Sequence, residues 1–396
     1  MIAWRAQRLF DGERFHDGMA LLTDGDRVVG LVPVQDIPGQ AEHRFVEGTL
    51  APGFVDLQVN GGGGIMLNEA PSVASLRQMA EAHARIGVTT ILPTLITDRP
   101  EIVAAAIDAV AAGGVPGVAG LHLEGPHLAL SRKGAHDGGL IRAMTAADLA
   151  ALIAAAARLP VLKVTLAPEA ATPGQIAALA WAGVLVSLGH TEARLDACRA
   201  ATEAGARCVT HLFNAMSQMT GRAPGCVGAA LEDGRLSAGI IADGHHVDPV
   251  MVRLARRAKR GPGRMFLVSD AMAVAGTDLR GFDLGGRAVT RRGGRLTLAD
   301  GTLAGADLDL ARAVRNMVDW DAADEAEALA MAMSVPAALI GRRDLGRLAA
   351  GCRADLVALE GSGAVTGVWR GGVAVDDETV SPHLRCVDRR GPDGPR

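Results

Sequence analysis

Eight short apolar runs, most of them closing on a polar residue, alternate with Ala-rich, helix-favouring segments through the middle of this chain. They lie around Phe54–Asn60, Thr89–Leu95, Val118–Glu124, Leu162–Ala167, Val184–His190, Cys208–Asn214, Ser237–Asp243 and Met265–Asp270. Strand-helix units repeated about every thirty residues, with polar residues gathered where strands end, predict a (β/α)₈ TIM barrel whose chemistry sits at the C-terminal strand ends. A doubly wound open sheet alternates in the same way, but no Gly-x-Gly-x-x-Gly turn follows the first run to support dinucleotide binding.

The two ends have a different texture. Met19–Thr23, the turn Asp24-Gly25-Asp26 and Arg27–Val32 read as a β-hairpin, and similar short runs return at Ala354–Leu359 and Gly367–Val375. The expectation is a small β-sandwich domain made jointly by residues 1–50 and 346–384, flanking a catalytic barrel over 51–345. Between about 274 and 305, glycines separate short alternating runs, which predicts a β-rich excursion after the last barrel strand. Two helices follow, one carrying Leu308, Leu310, Val314 and Met317, the other running from Ala328 to Met333. The tail 385–396, rich in Arg, Asp, Gly and Pro, reads as disordered.

Composition narrows the partners. A net charge of -4 with 3% aromatic residues lacks the basic excess and stacking surfaces of a nucleic-acid binder, so none is expected. No apolar run is long enough to cross a membrane and no secretory leader is evident. The five cysteines, Cys198, Cys208, Cys226, Cys352 and Cys386, form no Cys-x-x-Cys pair, and their odd number argues against a disulfide framework. The expectation is a reducing, cytoplasmic setting.

Chemistry concentrates at the strand exits. In Leu121-His122-Leu123-Glu124-Gly125-Pro126, a strand would project His122 and Glu124 to the same side, and Gly-Pro ends it. A carboxylate there needs a cation, a metal or several donors. His190, in Gly189-His190-Thr191, and His211, in Thr210-His211-Leu212, end two further strands. Singly, each is as compatible with a satisfied core histidine; jointly with Glu124 they form a common ligand set for Zn²⁺ with one position open for water. Asp270, in Ser269-Asp270-Ala271, brings another carboxylate to the same mouth, either as a general acid/base or as a helix cap.

Several strings then resemble those of N-acetylglucosamine-6-phosphate deacetylases of the amidohydrolase superfamily, in the same order and over nearly the whole chain. They are Ala51–Asp56, Leu121–Pro126, Gly189–Thr191, Thr210–Met216, Ile241–Gly244 and Ser269–Ala271. The resemblance implies a deacetylase that converts N-acetyl-D-glucosamine 6-phosphate to D-glucosamine 6-phosphate and acetate. It implies that Glu124, His190 and His211 bind the metal and that Asp270 is the catalytic acid/base. It further implies that His136 contacts substrate near the scissile amide. By the same likeness, Asn214, Ala215, Arg222 and His246 hold the sugar phosphate, while Leu303, Ala304 and Gly305 pack on the acetyl and sugar. Because the phosphate-binding Arg can come from a neighbouring subunit in relatives, a homodimer is implied.

One departure concerns the metal count. Where many amidohydrolases carry His-x-His, this chain has Gln58-Val59-Asn60, and carboxamides are poor Zn²⁺ ligands. One divalent metal per subunit is expected, Zn²⁺ first, with Fe²⁺, Mn²⁺ or Co²⁺ compatible with the same ligands. Other readings stay open: the galacto epimer as substrate, a cyclic-amide hydrolase, or a non-catalytic barrel used as a scaffold. His122, His127 and His245 are left without assigned roles, and His83 reads as a helix residue.

Overall fold

The computed structural model describes residues 1–375; the expected strand residues 376–384 and the tail 385–396 lie outside the described residues. Eight parallel strands form one sheet in sequence order: Phe54–Val59, Val88–Ile96, Leu121–Glu124, Leu162–Leu166, Leu185–Leu188, Cys208–Val209, Ser237–Ile240 and Met265–Leu267. The sheet closes on itself beyond the eighth strand, where Asn60 N and Gly61 N both donate to Ala271 O at 2.8 and 3.1 Å. The apolar character of the strands follows from this closure. Both faces are buried, one by the barrel interior and one by the surrounding helices.

The intervening helices start where the sequence supplies caps. Ser72 accepts from Ser75 N at the head of Val73–Arg85. Thr145 and Asp148 close a reciprocal capping box on Ala146–Ala156, as Thr172 and Gln175 do on Pro173–Trp181.

The strands are shorter than the apolar runs suggested. The regular strands end before His190, His211 and Asp270, with only single backbone bonds such as Leu212 N to Gly239 O beyond them, and all three take left-handed backbone, with φ of 46°, 31° and 50°. Such bends are uncommon outside glycine. They end the ladder and turn the side chains across the barrel mouth instead of along its wall.

Strands from the two ends build one mixed sheet of eight strands, with Ile2–Phe10 parallel to Glu42–Pro52 and the C-terminal Leu356–Leu359 added antiparallel to Glu42–Pro52. This sheet folds over into two facing layers. Trp4 and Trp369 lie on strands three steps apart, which a flat sheet would separate by about 14 Å, yet their rings meet edge to face at 4.9 Å. Ala354 N also donates to Asp26 O, which brings the head of Leu356–Leu359 against the edge strand Arg27–Pro33. Trp4, Leu21, Val28, Leu50, Leu356 and Trp369 fill the space enclosed.

After the eighth barrel strand, the glycine-rich excursion forms a four-stranded antiparallel sheet: Gly281–Leu284, Arg287–Arg292, Arg295–Thr297 and Leu303–Ala306. Leu284, Val289, Leu296 and Ala304 seat it on Met66, Met272 and Val274 beside the barrel mouth. Helices Leu310–Asp319 and Glu325–Ala332 then return the chain to the barrel wall. Among the described residues, no helix is long and apolar enough to cross a membrane.

Candidate active site

The third strand delivers Glu124 to the mouth fully buried, and Gly125 then turns the chain at φ 87°; a Cβ there would lie 2.2 Å from Thr97 Oγ1. Glu124 Oε1 stands 3.3 Å from His190 Nε2 and 3.0 Å from His211 Nε2, and the two imidazole nitrogens are 3.1 Å apart. His190 Nδ1 donates to the Arg132 carbonyl at 2.7 Å, so its Nε2 presents a lone pair to this point. Two imidazoles and a carboxylate converging on one point with no protein group between them need a positive charge there. Burial would raise the Glu124 pKa, but the His190 and His211 imidazoles beside it hold it well below the usual carboxylate range. Burial likewise opposes charging His211, and Glu124 overrides it to raise that pKa. The three candidate ligand atoms lie within 4.8 Å of one another, which fits a divalent metal.

Asp270 lies in the same pocket, with Oδ1 accepting from Gln58 Nε2 at 3.0 Å and Asn60 Nδ2 at 2.7 Å. Burial and the nearby Glu124 charge raise its pKa above the ordinary carboxyl value, against opposing contributions from His211, His246 and Asn60. On the opposite wall, His136 Nδ1 meets both Thr97 Oγ1 at 2.8 Å and Thr97 N at 3.3 Å. A backbone N–H can only donate, so Nδ1 is the acceptor and the ring carries its proton on Nε2. Burial and the neighbouring His190 push the His136 pKa down to about 3, which keeps the ring neutral. His136 is thus a neutral donor beside the candidate metal point.

These groups share a cavity of about 270 Å³, near the lower end of small-ligand pockets at roughly 300 Å³. Asn214, Ala215, His246, Leu303 and Gly305 also line it. Asp243 fixes His246, accepting from its backbone N–H at 2.8 Å and from Nδ1 at 2.7 Å. Asn214 Nδ2 donates to the carbonyls of His211 and Leu212, both at 3.3 Å.

Two residues named from the sequence lie elsewhere. Strand alternation sends Leu303 and Gly305 to the pocket and buries Ala304 in the core of the excursion sheet. Arg222 sits exposed on the loop after Thr220 and does not line the cavity.

Thr97, which fixes His136, was legible only as a polar residue just past the second strand, the same signal that marks Glu124 and Asp270. Ile96, Ile241, Met272 and Thr302 also line the cavity, and nothing in their residue types sets them apart. His122 is held inside the barrel between Thr94 Oγ1 at 3.1 Å and Thr165 Oγ1 at 2.7 Å. His83 bonds Gly61 O at 2.9 Å, and His127 bonds Arg142 O at 3.2 Å.

Against known proteins, the profile of the Amidohydrolase family matches residues 49–375. An N-acetylgalactosamine-6-phosphate deacetylase from Shewanella sp. (strain ANA-3) is 43% identical, covering 83% of this chain and 84% of its own length. An N-acetylglucosamine-6-phosphate deacetylase from Haemophilus influenzae is 33% identical over 85% of this chain and 89% of its own. The crystal structure of N-acetylglucosamine-6-phosphate deacetylase from Pasteurella multocida superposes with a TM-score of 0.88 at 36% identity, covering 94% of this chain and 99% of that one.

Proposed function

This chain belongs to the amidohydrolase family, and from that premise we propose that it hydrolyses the acetamide of N-acetyl-D-glucosamine 6-phosphate to D-glucosamine 6-phosphate and acetate. The observation that carries the reading is the meeting of Glu124, His190 and His211 with Asp270 and His136 in one cavity. Glu124, His190 and His211 would hold a divalent metal, which would supply Lewis acidity to the site.

The chain's own groups do the rest. Asp270 takes the proton of the attacking water, and burial, the largest influence on its carboxyl, works to raise its pKa toward neutrality, where a general base works best. His136 donates from Nε2 to the carbonyl oxygen as negative charge develops there. Asp270 then returns its proton to the departing amine, so that water is consumed and acetate and a free amine leave. Leu303 and Gly305 bound the sugar side of the cavity, with Asn214, Ala215 and His246 toward the phosphate.

We assign one metal, Zn²⁺ first among the ions that suit two imidazoles and a carboxylate. Gln58 and Asn60 turn their amide nitrogens toward the carboxylates. Their oxygens therefore do not converge with Glu124 and Asp270 on a second ion.

We also propose a homodimer, a reading that the charge around the cavity supports. Among the described residues, no Lys or Arg lines the cavity itself, so a phosphate dianion would gain from a cation brought by a second copy. Arg222, exposed on its loop, suits the cavity of a second copy, where its planar fork would bind phosphate oxygens in pairs. Four buried cysteines carried as free thiols fit a reducing, cytoplasmic setting.

The galacto epimer is a second reading, favoured by the 43% identity to the Shewanella deacetylase. Acetate release from both epimeric 6-phosphates and from unphosphorylated N-acetylglucosamine, before and after chelation, tests the assignment. Chelator-sensitive turnover that requires the phosphate is expected. No acetate from any of these sugars by metal-loaded protein would overturn the substrate assignment.

A further inference from the structure

Gln58 and Asn60 stand where a second metal would need imidazoles, and the structure gives their carboxamides another partner. Gln58 Nε2 and Asn60 Nδ2 converge on a single atom, Oδ1 of Asp270, at 3.0 and 2.7 Å. Gln58 Nε2 also lies 3.4 and 3.5 Å from the two Glu124 oxygens. The opposite amide orientation would set carbonyl oxygens against carboxylate oxygens, so the network fixes which end faces Asp270. That orientation has a cost. Gln58 Oε1 and Asn60 Oδ1 are buried with no hydrogen-bond partner, a loss of stability that the fold accepts for the sake of the other end of each side chain.

We propose that Asn60 and Gln58 are positioning residues for Asp270. Their amides occupy Oδ1 and so reserve Oδ2 for the proton taken from water and returned to the amine. Asp270 sits on a left-handed residue, φ 50°, just past the eighth strand; its backbone carbonyl accepts from Ala306 N at 3.0 Å, and the direction of its carboxylate is left to the two side-chain amides. Asn60 leaves the first strand directly opposite, tied through its own N–H to Ala271 O at 2.8 Å, so both partners are held at the seam where the barrel closes.

The inference rests on the deacetylase reading of this site. Its test is a double-mutant cycle in kcat with Asn60→Leu and Asp270→Asn, made on metal-loaded protein with bound metal measured in each variant. Acting through Asp270, Asn60→Leu should lower kcat about tenfold in the parent, leave KM and metal content nearly unchanged, and change the residual turnover of Asp270→Asn by less than about twofold. Equal losses in both backgrounds, or a kcat loss that tracks lost metal, would overturn the proposal. If Asn60→Leu does not fold, Asn60→Ser carries the same cycle with a smaller side chain. A parent inactive on every sugar phosphate would instead overturn the deacetylase reading, so the two failures are distinguishable.

Discussion

Asp56 is the most informative group to perturb outside the reacting centre. It lies on the first barrel strand with no exposed surface. Its carboxyl accepts from Gln58 N at 3.1 Å and from Ser269 N at 3.2 and 3.3 Å, which ties the first strand to the exit of the eighth just before Asp270. Burial dominates its titration and, with a smaller push from Asp270, raises its pKa from 3.8 to about 7 despite those hydrogen bonds. The folded chain therefore keeps the proton at pH values where the unfolded chain has released it. Stability from this group is fully present below pH 3.8 and is lost as pH climbs through about 7.

Asp56→Asn removes the titration while keeping size and one carbonyl acceptor. Integrated between pH 5 and pH 8, the linkage amounts to roughly 3 kcal/mol at about 1.4 kcal/mol per pKa unit. Denaturant unfolding of metal-free parent and variant at those two pH values isolates this group, because the other titrating groups cancel in the difference. The variant should gain about 3 kcal/mol relative to the parent on going from pH 5 to pH 8. A difference that does not move with pH would mean that Asp56 is already ionised at pH 5, and the argument from its burial would fail.

Asp270→Asn should keep its metal but lose roughly 10²- to 10⁴-fold in turnover, the range of a lost general acid/base; near-normal acetate release would remove Asp270 from that role. Arg222→Ala should raise KM for the phosphorylated sugar about tenfold or more with a smaller effect on kcat, since the phosphate is remote from the bond broken; unchanged steady-state kinetics would place the phosphate countercharge elsewhere. Chelation should abolish turnover and one equivalent of Zn²⁺ should restore it, with elemental analysis of the purified protein giving one tightly held ion per chain; two equivalents would contradict the single site.

What the sequence revealed and what it hid divide along physical lines. The eight strands were legible because burial on both faces demands uninterrupted apolar runs. Glu124, His190, His211 and Asp270 were legible because a polar or charged group at the end of such a run is costly to bury unless it binds something. Strand ends were not legible. His190, His211 and Asp270 leave the ladder through left-handed backbone that their residue types do not announce. The run Leu303-Ala304-Gly305 reads as one unit in the sequence, yet alternation gives its middle member to the core, a matter of pairing register that no local signal fixes. Met272 and Ile241 shape the cavity as ordinary apolar residues. The folding of the terminal sheet into two layers depends on contacts such as Trp4 with Trp369, which join segments from opposite ends of the chain.

Three buried carboxyl groups gather in this barrel, Asp56 and Asp270 at its closing seam and Glu124 at the end of the third strand, and their neighbours make them different acids. Glu124 faces two imidazoles, which draw its pKa well down and make it a permanent anion suited to a cation. Asp56 faces backbone N–H groups in a fully buried setting, and burial outweighs them, which leaves it about half protonated near pH 7. Asp270 is raised as well. Burial and the Glu124 charge lift it, while Asn60, His211 and His246 pull the other way. The proposed acid/base is thus a carboxyl that its neighbours push in both directions, which suits a group that must both take and return a proton. The balance depends on Glu124 remaining charged, because its anion is the largest neighbour acting to raise Asp270. Whatever neutralises Glu124, a bound metal above all, also eases the ionisation of Asp270, so the proposed metal site and the proposed base act as one electrostatic unit.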